Sequence, residues 1–379
     1  MRQDVLRRNN PYNDDKVIAA CSIFGAMDRS GKRMSAHDTV RAIANMHERS
    51  NGLGGGFAGY GIYPEHADRY ALHVMYLAPG AREELECRLA RDFDIALAEP
   101  IPTRSGAKVW NQPELWRYFV LPVADNGLSP DDYMMGHVMR INSTLEDAFI
   151  FSSGKNMGVF KGVGYPEAVA DFFRLDEYQG YIWVAHGRFP TNTPGWWGGA
   201  HPFNLLDWTV VHNGEISSYD TNRRFLEMYG YSCTMMTDTE VVAYAVDLLM
   251  RRHGLPIELV KEVLAPRFWQ EIDREHGPLA DAKRVLRQVY SELLLNGPFT
   301  VIIAHNGEMI GLTDRIRLRP LTAATRGEML YLSSEESAIR LVSPQLDRAW
   351  IPDGGEPVVG RLGSTEPVAA QPVVSARKT

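Results

Sequence analysis

Four positions in this chain put reactive groups where chemistry can happen. Arg188 follows the apolar run "YIWVAHG" and so sits at a strand end, where ligand sites form. Asp238 lies in "MMTDTEVV". Thr237 and Glu240 make a capping box there, which leaves Asp238 at the first helical position, tolerated by the helix N-terminus and free to face a ligand. Asn213 and Gly214 fall in "DWTVVHNGEISSYD", and Cys21 follows the polar residues 1–20. Together they offer a cation, an anion, an amide beside a glycine N–H, and a thiol. Singly, each has a plainer use. Arg188 serves as a surface ion pair, Asp238 as dipole compensation, and Asn-Gly as a turn. Their order along the chain carries the weight.

The tetrapeptide "HNGE" occurs twice, at His212–Glu215 and at His305–Glu308. The second copy, "TVIIA-HNGE-MIGL", joins two apolar runs through Asn306-Gly307 and predicts a β-hairpin. The first has different company: "VAHGRFPTNT" upstream and "MMTDTEVV" downstream. Two other patterns are decoys. "GGGFAG" (Gly54, Gly56, Gly59) satisfies GxGxxG, but the following "GYGIYP" reads as a strand, and a dinucleotide fingerprint needs a helix there. "INST" at Asn142 matches a glycosylation acceptor but has no secretion signal to give it meaning.

These groups must be positioned by an alternation of strands and helices. "CSIFGAMD", "RYALHVMYL", "DAFIFSSGKN", "YQGYIWVAHGRF" and "WTVVHN" read as strands. "SAHDTVRAIANMHERS", with Ser35 as its cap, "PEAVADFFRL", "SYDTNRRFLEMYG" and "TEVVAYAVDLLMRRHG" read as helices, and two more fill 257–296. Residues 80–150 mix the amphipathic "AREELECRLARDF" with Pro- and Asp-rich connections and a short helix near "LSPDDYMMGHVMR". "PFTVIIAHN", "EMIGLTD", "EMLYLSSE" and "VVGRLG" are strands, and the chain beyond 363 reads as a flexible tail. Strands at both ends with helices between predict an α+β layered domain over residues 21–362.

Composition narrows the class. The chain has 379 residues, 45% hydrophobic and 23% charged, in the range of globular proteins. Its net charge is −7, with no basic stripe interleaved with aromatics, which argues against nucleic acid. No apolar run reaches the roughly 18 residues of a membrane span. Cys21, Cys87 and Cys233 have no metal or disulfide spacing, so a reduced, cytoplasmic setting is expected. "VIAAC" looks like a lipoprotein cleavage box, yet the polar "RRNNPYNDDK" before it rules out an export signal.

The segments "CSIFGAMD", "AHGRFPTNT", "GGAHPF", "VVHNGEI", "YGYSC" and "TDTEVVAYAV" together resemble the class II glutamine amidotransferases, which are N-terminal-nucleophile hydrolases. "RFPTNT…AHPF…HNGEI" is most similar to the amidotransferase domain of glutamate synthase, as is "LTDRIRLRPL…LSSEES". The resemblance covers roughly residues 21–340. It implies a four-layer αββα sandwich with Cys21 as the nucleophile on the glutamine carboxamide. Asn213 and Gly214 would hold the oxyanion, Arg188 the α-carboxylate and Asp238 the α-ammonium. Thr191 and Asn192 would line the glutamine pocket, and His186 and His212 would be structural. The base would be the α-amine of Cys21 itself. A free amine near pKa 7.7–8.0 can take a proton from a thiol near 8.5, and an amide nitrogen cannot. Residues 1–20 are therefore expected to be a leader cut at Ala20–Cys21. Two positions depart from the family. Ser22 stands where relatives usually have Gly, which crowds the first turn of backbone. Pro190 stands where they have Ser or Ala, which removes a backbone donor.

The same resemblance implies that the released ammonia is passed to a second active site. No flavin barrel, iron–sulfur cysteine cluster or phosphoribosyl motif is found in the chain, so no cofactor and no metal are expected on it. The acceptor site is expected on a separate synthase subunit that binds FMN, with or without iron–sulfur, and makes glutamate or N-methylglutamate. Two other readings stay open: a stand-alone amidohydrolase acting on another amide, and a glutamine-binding regulatory subunit without turnover.

Overall fold

A computed structural model describes residues 21–123, 127–189 and 195–364, together with the backbone of 368–369. The expected leader, the tail beyond 369, and Pro190, Thr191 and Asn192 lie outside the described residues.

The strand that follows Cys21, Ser22–Asp28, is buried along its whole length, as expected for an apolar run bounded by charge and glycine. It lies inside a seven-stranded antiparallel sheet, between Met329–Ser333 and Ile182–Gly187. Beyond Ile182–Gly187 come Gly55–Tyr60 and Met157–Gly162. A six-stranded sheet packs against it, with Trp208–Gly214, Phe299–His305 and Glu308–Thr313 at its centre. The two approach closely: a Cβ on Gly25 would lie 2.8 Å from Met309 Sδ. The Tyr60 hydroxyl pins the sheets together, donating to the Ala304 carbonyl at 2.7 Å.

Helices His37–Asn45, Pro166–Phe172 and Glu336–Val342 cover the outer face of the first sheet. Asp238–Val246 covers the second, with Tyr219–Glu227 packed on that helix. The order of layers is thus helix, sheet, sheet, helix. Core residues of both sheets, such as Phe24, Val184, Ile302 and Leu332, are fully buried. Apolar burial on this scale is the main favourable term in folding.

Several local expectations need correction. Gly55, Gly56 and Gly59 of "GGGFAGY" are themselves in the strand Gly55–Tyr60, rather than in a loop before one. A Cβ on Gly56 or Gly59 would strike the His201 carbonyl or the Trp183 ring, so the strand needs glycine to fit between its neighbours. Residues 80–150 are more ordered than connections. Phe93–Pro100 and Glu114–Pro122 join Tyr70–Tyr76 and Ala148–Ser152 in a four-stranded sheet, with helices Ala81–Asp92 and Pro130–Thr144. Met157–Gly162 and Thr322–Arg326 are further strands. The cap of helix His37–Asn45 is Ala36, and Ser35 Oγ instead accepts from the His37 N–H at 3.2 Å.

Candidate active site

Strand pairing brings the expected groups together. Ser22 lies opposite Gly187, so Cys21 and Arg188 emerge from adjacent ends of neighbouring strands. Cys21 Sγ accepts from the Phe189 N–H at 3.4 Å, and its carbonyl accepts from Arg49 Nε at 3.2 Å. Arg49 is held in turn by Glu335, 3.0 Å away. Ser22 does not crowd the turn as expected. Its buried hydroxyl donates to the Gly187 carbonyl at 3.5 Å, in space that a Cβ on Gly187 would take.

Asn213 and Gly214 end the neighbouring strand of the other sheet. Ser334 links them to the nucleophile strand: its hydroxyl accepts from Asn213 Nδ2 at 3.4 Å and from the Ile23 N–H at 3.2 Å. Asn213 is fully buried, and its Oδ1 has no hydrogen-bond partner among the described residues. Its Nδ2, the donor that an oxyanion needs, has no second partner among the described residues, so one N–H is left over.

Asp238 opens helix Asp238–Val246, behind the cap made by Thr237 Oγ1 on the Glu240 N–H at 3.3 Å. The reciprocal half of the expected capping box is diverted. The Glu240 carboxylate accepts from the Thr234 and Met235 N–H groups at 3.0 and 2.9 Å. Asp238 itself accepts from the Ile216 N–H at 3.1 Å, two residues past Gly214, and lies 3.6 Å from His212 Nδ1.

The electrostatics confirm the proximity. Burial pushes the Cys21 thiol above its ordinary value; the Phe189 N–H and Arg188 pull it down, Asp238 pushes it up, and Arg319 pulls it down. Burial holds the Arg188 guanidinium below its usual range, against Cys21 and Asp238, which raise it. Burial also raises the Asp238 carboxyl, but His212 and the Ile216 and Thr239 N–H groups outweigh it, and the net shift is downward. Thiol, cation and anion therefore share one field. This is the component set for binding an amino-acid zwitterion beside a nucleophile.

The histidines around this cluster have no such poise. Burial pushes His186 down to about 3 and His201 well below its usual value. Their rings lie 4.1 Å apart, and both are neutral packing groups. No group of three or more His, Cys, Asp or Glu able to hold a metal occurs among the described residues. Thr191 and Asn192 cannot be placed, being outside the described residues. Four further residues escaped the sequence reading: Arg49, Ser334, Glu335 and Arg319. Three of them sit in "LTDRIRLRPL…LSSEES", a segment that marked the resemblance without a role attached.

The family model of the class-II glutamine amidotransferases matches residues 133–349, more than half of the chain. The chain belongs to the class-II glutamine amidotransferases. It is accordingly a glutamine-hydrolysing enzyme of amido transfer, and its layers are those of the N-terminal-nucleophile sandwich. It is 56% identical over 358 residues to an uncharacterized protein of Archaeoglobus fulgidus, covering 93% of this chain and 95% of that one. It is 28% identical over 195 residues to the amidophosphoribosyltransferase of Methanocaldococcus jannaschii, covering 50% of this chain and 35% of that enzyme. Among solved structures it is similar to glutamine phosphoribosylpyrophosphate amidotransferase of B. subtilis, with a TM-score of 0.46 and 16% identity over 90% of this chain and 47% of that one. No helix among the described residues is long and apolar enough to cross a membrane.

Proposed function

We propose that this chain is the glutaminase subunit of a two-protein amidotransferase, with Cys21 as nucleophile. The observation that carries this reading is the shared field of Cys21, Arg188 and Asp238 at the ends of adjoining elements. Arg188 grips the α-carboxylate of glutamine and Asp238 pairs with its α-ammonium. Cys21 Sγ attacks the carboxamide carbon, and the carbonyl oxygen takes the charge between the Asn213 amide and the Gly214 N–H. The thiol proton passes to the α-amine of Cys21, freed by cleavage after Ala20, and from there to the departing nitrogen. Collapse expels ammonia and leaves a γ-glutamyl thioester. Water then hydrolyses the thioester to glutamate. Thr191 and Asn192 complete the pocket wall.

The ammonia goes to a separate synthase subunit. The glutamate-synthase character of "RFPTNT" and "DRIRLRP" supports an FMN-binding partner, with or without iron–sulfur clusters, that makes glutamate or N-methylglutamate. This chain itself needs no cofactor for the hydrolytic half, and a cytoplasmic setting suits its free thiols.

The test is covalent. A glutamine-like diazoketone is expected to add once, at Cys21, on a chain whose first residue by intact mass is Cys21. Glutamine is expected to protect, and an amide lacking the α-amino group is not. Full activity of the uncleaved chain, or labelling at Cys87 or Cys233 instead, overturns the assignment.

A further inference from the structure

The loop after strand Glu308–Thr313 is held firmly and yet presents apolar side chains to solvent. Asp314 is buried, and its carboxylate accepts from the Ile316, Leu318 and Phe299 N–H groups at 3.1, 2.8 and 3.3 Å. This fixes the backbone of "DRIRLRP". From it Ile316 and Leu318 project, 56% and 57% exposed. Arg317 adopts φ 55°, a left-handed conformation that is strained for a non-glycine residue. A rigid loop that strains an arginine and exposes two aliphatics is not explained by folding alone.

The surface around it has the same character. Phe268 and Trp269 are exposed, with Arg315 over the Phe268 ring at 4.8 Å and Arg287 over the Trp269 ring at 4.1 Å. Beside them lies a cavity of about 160 Å³, lined by Val263, Pro266, Trp269, Tyr290 and Leu294 among others, with a largely apolar wall. Arg317 reaches the Pro352 carbonyl at 3.1 Å, next to exposed Ile351. Among the described residues Arg287, Arg315, Arg317 and Arg319 have no carboxylate within ion-pair distance, whereas Arg49 and Arg117 each have one and Arg251 has two. In a chain of net charge −7 this is a local reversal of sign. Arginine and aromatic anchors around an apolar socket are the composition of an interface centre.

The loop also leads to the chemistry. Its far end, Arg319, acts on the Cys21 thiol, and the Arg319 Nε is buried without a hydrogen-bond partner. The Arg319 carbonyl accepts from Thr300 Oγ1 at 3.1 Å, and Thr300 lies opposite Asn213, so a protein seated on this face abuts the strand ends that carry the site.

We propose that the face made by Asp314–Pro320, the Phe268–Trp269 turn and helix Pro278–Val289 is the docking surface for the ammonia-accepting subunit. That subunit presents acidic side chains and an apolar anchor to it. The proposal rests on the reading of this chain as a glutaminase that serves a second polypeptide. Charge supplies orientation and association rate, and the socket supplies the apolar anchor.

The test uses the full chain in its native organism, with a photo-crosslinking amino acid at Ile316 and, as control, at Arg174 on another part of the surface. The protein joined at Ile316 is identified by mass spectrometry, purified, and titrated against the wild-type chain and against Arg287→Glu/Arg317→Glu. An acidic partner whose Kd rises about 30-fold or more in the double variant, and rises with salt in the wild type, supports the proposal. Ile316→Glu serves as the second variant, since its side chain is mostly exposed, and folding is checked by its melting temperature. Crosslinking to a second copy of this chain, the same adducts from both positions, or an unchanged Kd in both variants overturns it. Labelling of Cys21 by the diazoketone is measured in parallel. If labelling persists while docking fails, only the interface is wrong. If docking holds without labelling, the glutaminase reading is the one that falls.

Discussion

The two copies of His-Asn-Gly-Glu sit on paired neighbours. Strands Trp208–Gly214 and Phe299–His305 run antiparallel, with Asn213 opposite Thr300 and Thr209 opposite Ala304. Each copy falls at the C-terminal end of its strand, so the two lie at opposite edges of one sheet. At one edge the chain turns straight back: His305 pairs with Glu308 and Gly307 takes φ 86°. Asn306 is saturated there, with Nδ2 donating to the Lys155 carbonyl at 3.0 Å and Asp207 Oδ2 at 2.7 Å, and Oδ1 accepting from the Tyr181 hydroxyl at 3.3 Å. At the other edge the chain runs on, and buried Asn213 Nδ2 makes a single bond among the described residues, to Ser334 at 3.4 Å, which leaves its second N–H to donate. Identical residues thus meet opposite demands. What separates them is whether the amide's bonding capacity is used up by the fold or left for something else.

The largest expected contrast follows from the amides. Asn213→Ala is expected to lower kcat for glutamine hydrolysis by about 10²–10³, the usual cost of one oxyanion donor, with KM changed far less. Asn306→Ala is expected to leave kcat within about twofold and to lose roughly 1–2 kcal/mol of stability, because Asp207 keeps its burial and loses a donor. Steady-state kinetics beside chemical denaturation of both variants measure this. Equal activity losses would show that the first copy is a structural turn after all.

The glycines should differ in stability. Gly214 has φ 151°, and a Cβ there would collide with the Pro298 carbonyl and lie 2.8 Å from Phe299 Cα on the paired strand. Gly214→Ala is expected to cost roughly 3 kcal/mol or more, since paired backbone must separate. At Gly307 the nearest atom to an added Cβ is Leu362 Cβ at 3.8 Å. Gly307→Ala then costs only the strain of its dihedral, about 1 kcal/mol. Thermal unfolding of the two variants compares them directly.

What the sequence disclosed and what it hid follow from the range of the interactions. The hairpin at Asn306-Gly307 was readable because a turn is a local device. The strand at Ser22–Asp28 and the helix after Thr237 were readable because periodicity and capping are local as well. The glycine strand Gly55–Tyr60 was not, since its glycines answer to His201 and Trp183, far away in the chain. The third sheet hid behind Pro and Asp because Phe93–Pro100 buries only Phe93 and draws its stability from pairing with Glu114–Pro122. In the site, the order of Cys21, Arg188, Asn213 and Asp238 was legible through resemblance. Ser334 and Arg49 were not, for each acts only through a partner about 120 or 28 residues away along the chain.

A smaller contrast lies in the histidines. His212 is buried against Asp238 and 3.2 Å from Thr239 Oγ1. His305 is half-buried over the Trp208 ring and bonds to Glu308 at 2.9 Å. His212→Gln is expected to raise KM for glutamine about tenfold, some 1.4 kcal/mol, with kcat changed less, because the Asp238 carboxylate loses its orienting neighbour. His305→Gln is expected to change neither constant. A fall in kcat with KM unchanged in His212→Gln would give that ring a part in the chemical step instead.

The finest test asks whether the thiol senses the groups that the first copy helps to assemble. Thiolate is the form that alkylates, and burial raises the Cys21 thiol, so its rate of reaction with iodoacetamide should rise with a midpoint above the roughly 8.5 of a free cysteine. Arg188 favours the thiolate and Asp238 opposes it. Arg188→Gln should therefore move the midpoint up and slow alkylation at a fixed pH, whereas Asp238→Asn should move it down and speed it. Peptide mapping separates Cys21 from the exposed Cys87 and from Cys233, whose thiol burial also raises. Opposite signs can arise only if cation and anion both stand within electrostatic reach of one sulfur. Shifts of the same sign, or none, would mean that the strand ends do not gather these groups. Gln at position 305 supplies the baseline, because the second tetrapeptide lies at the far edge of the sheet and should leave the midpoint where it was.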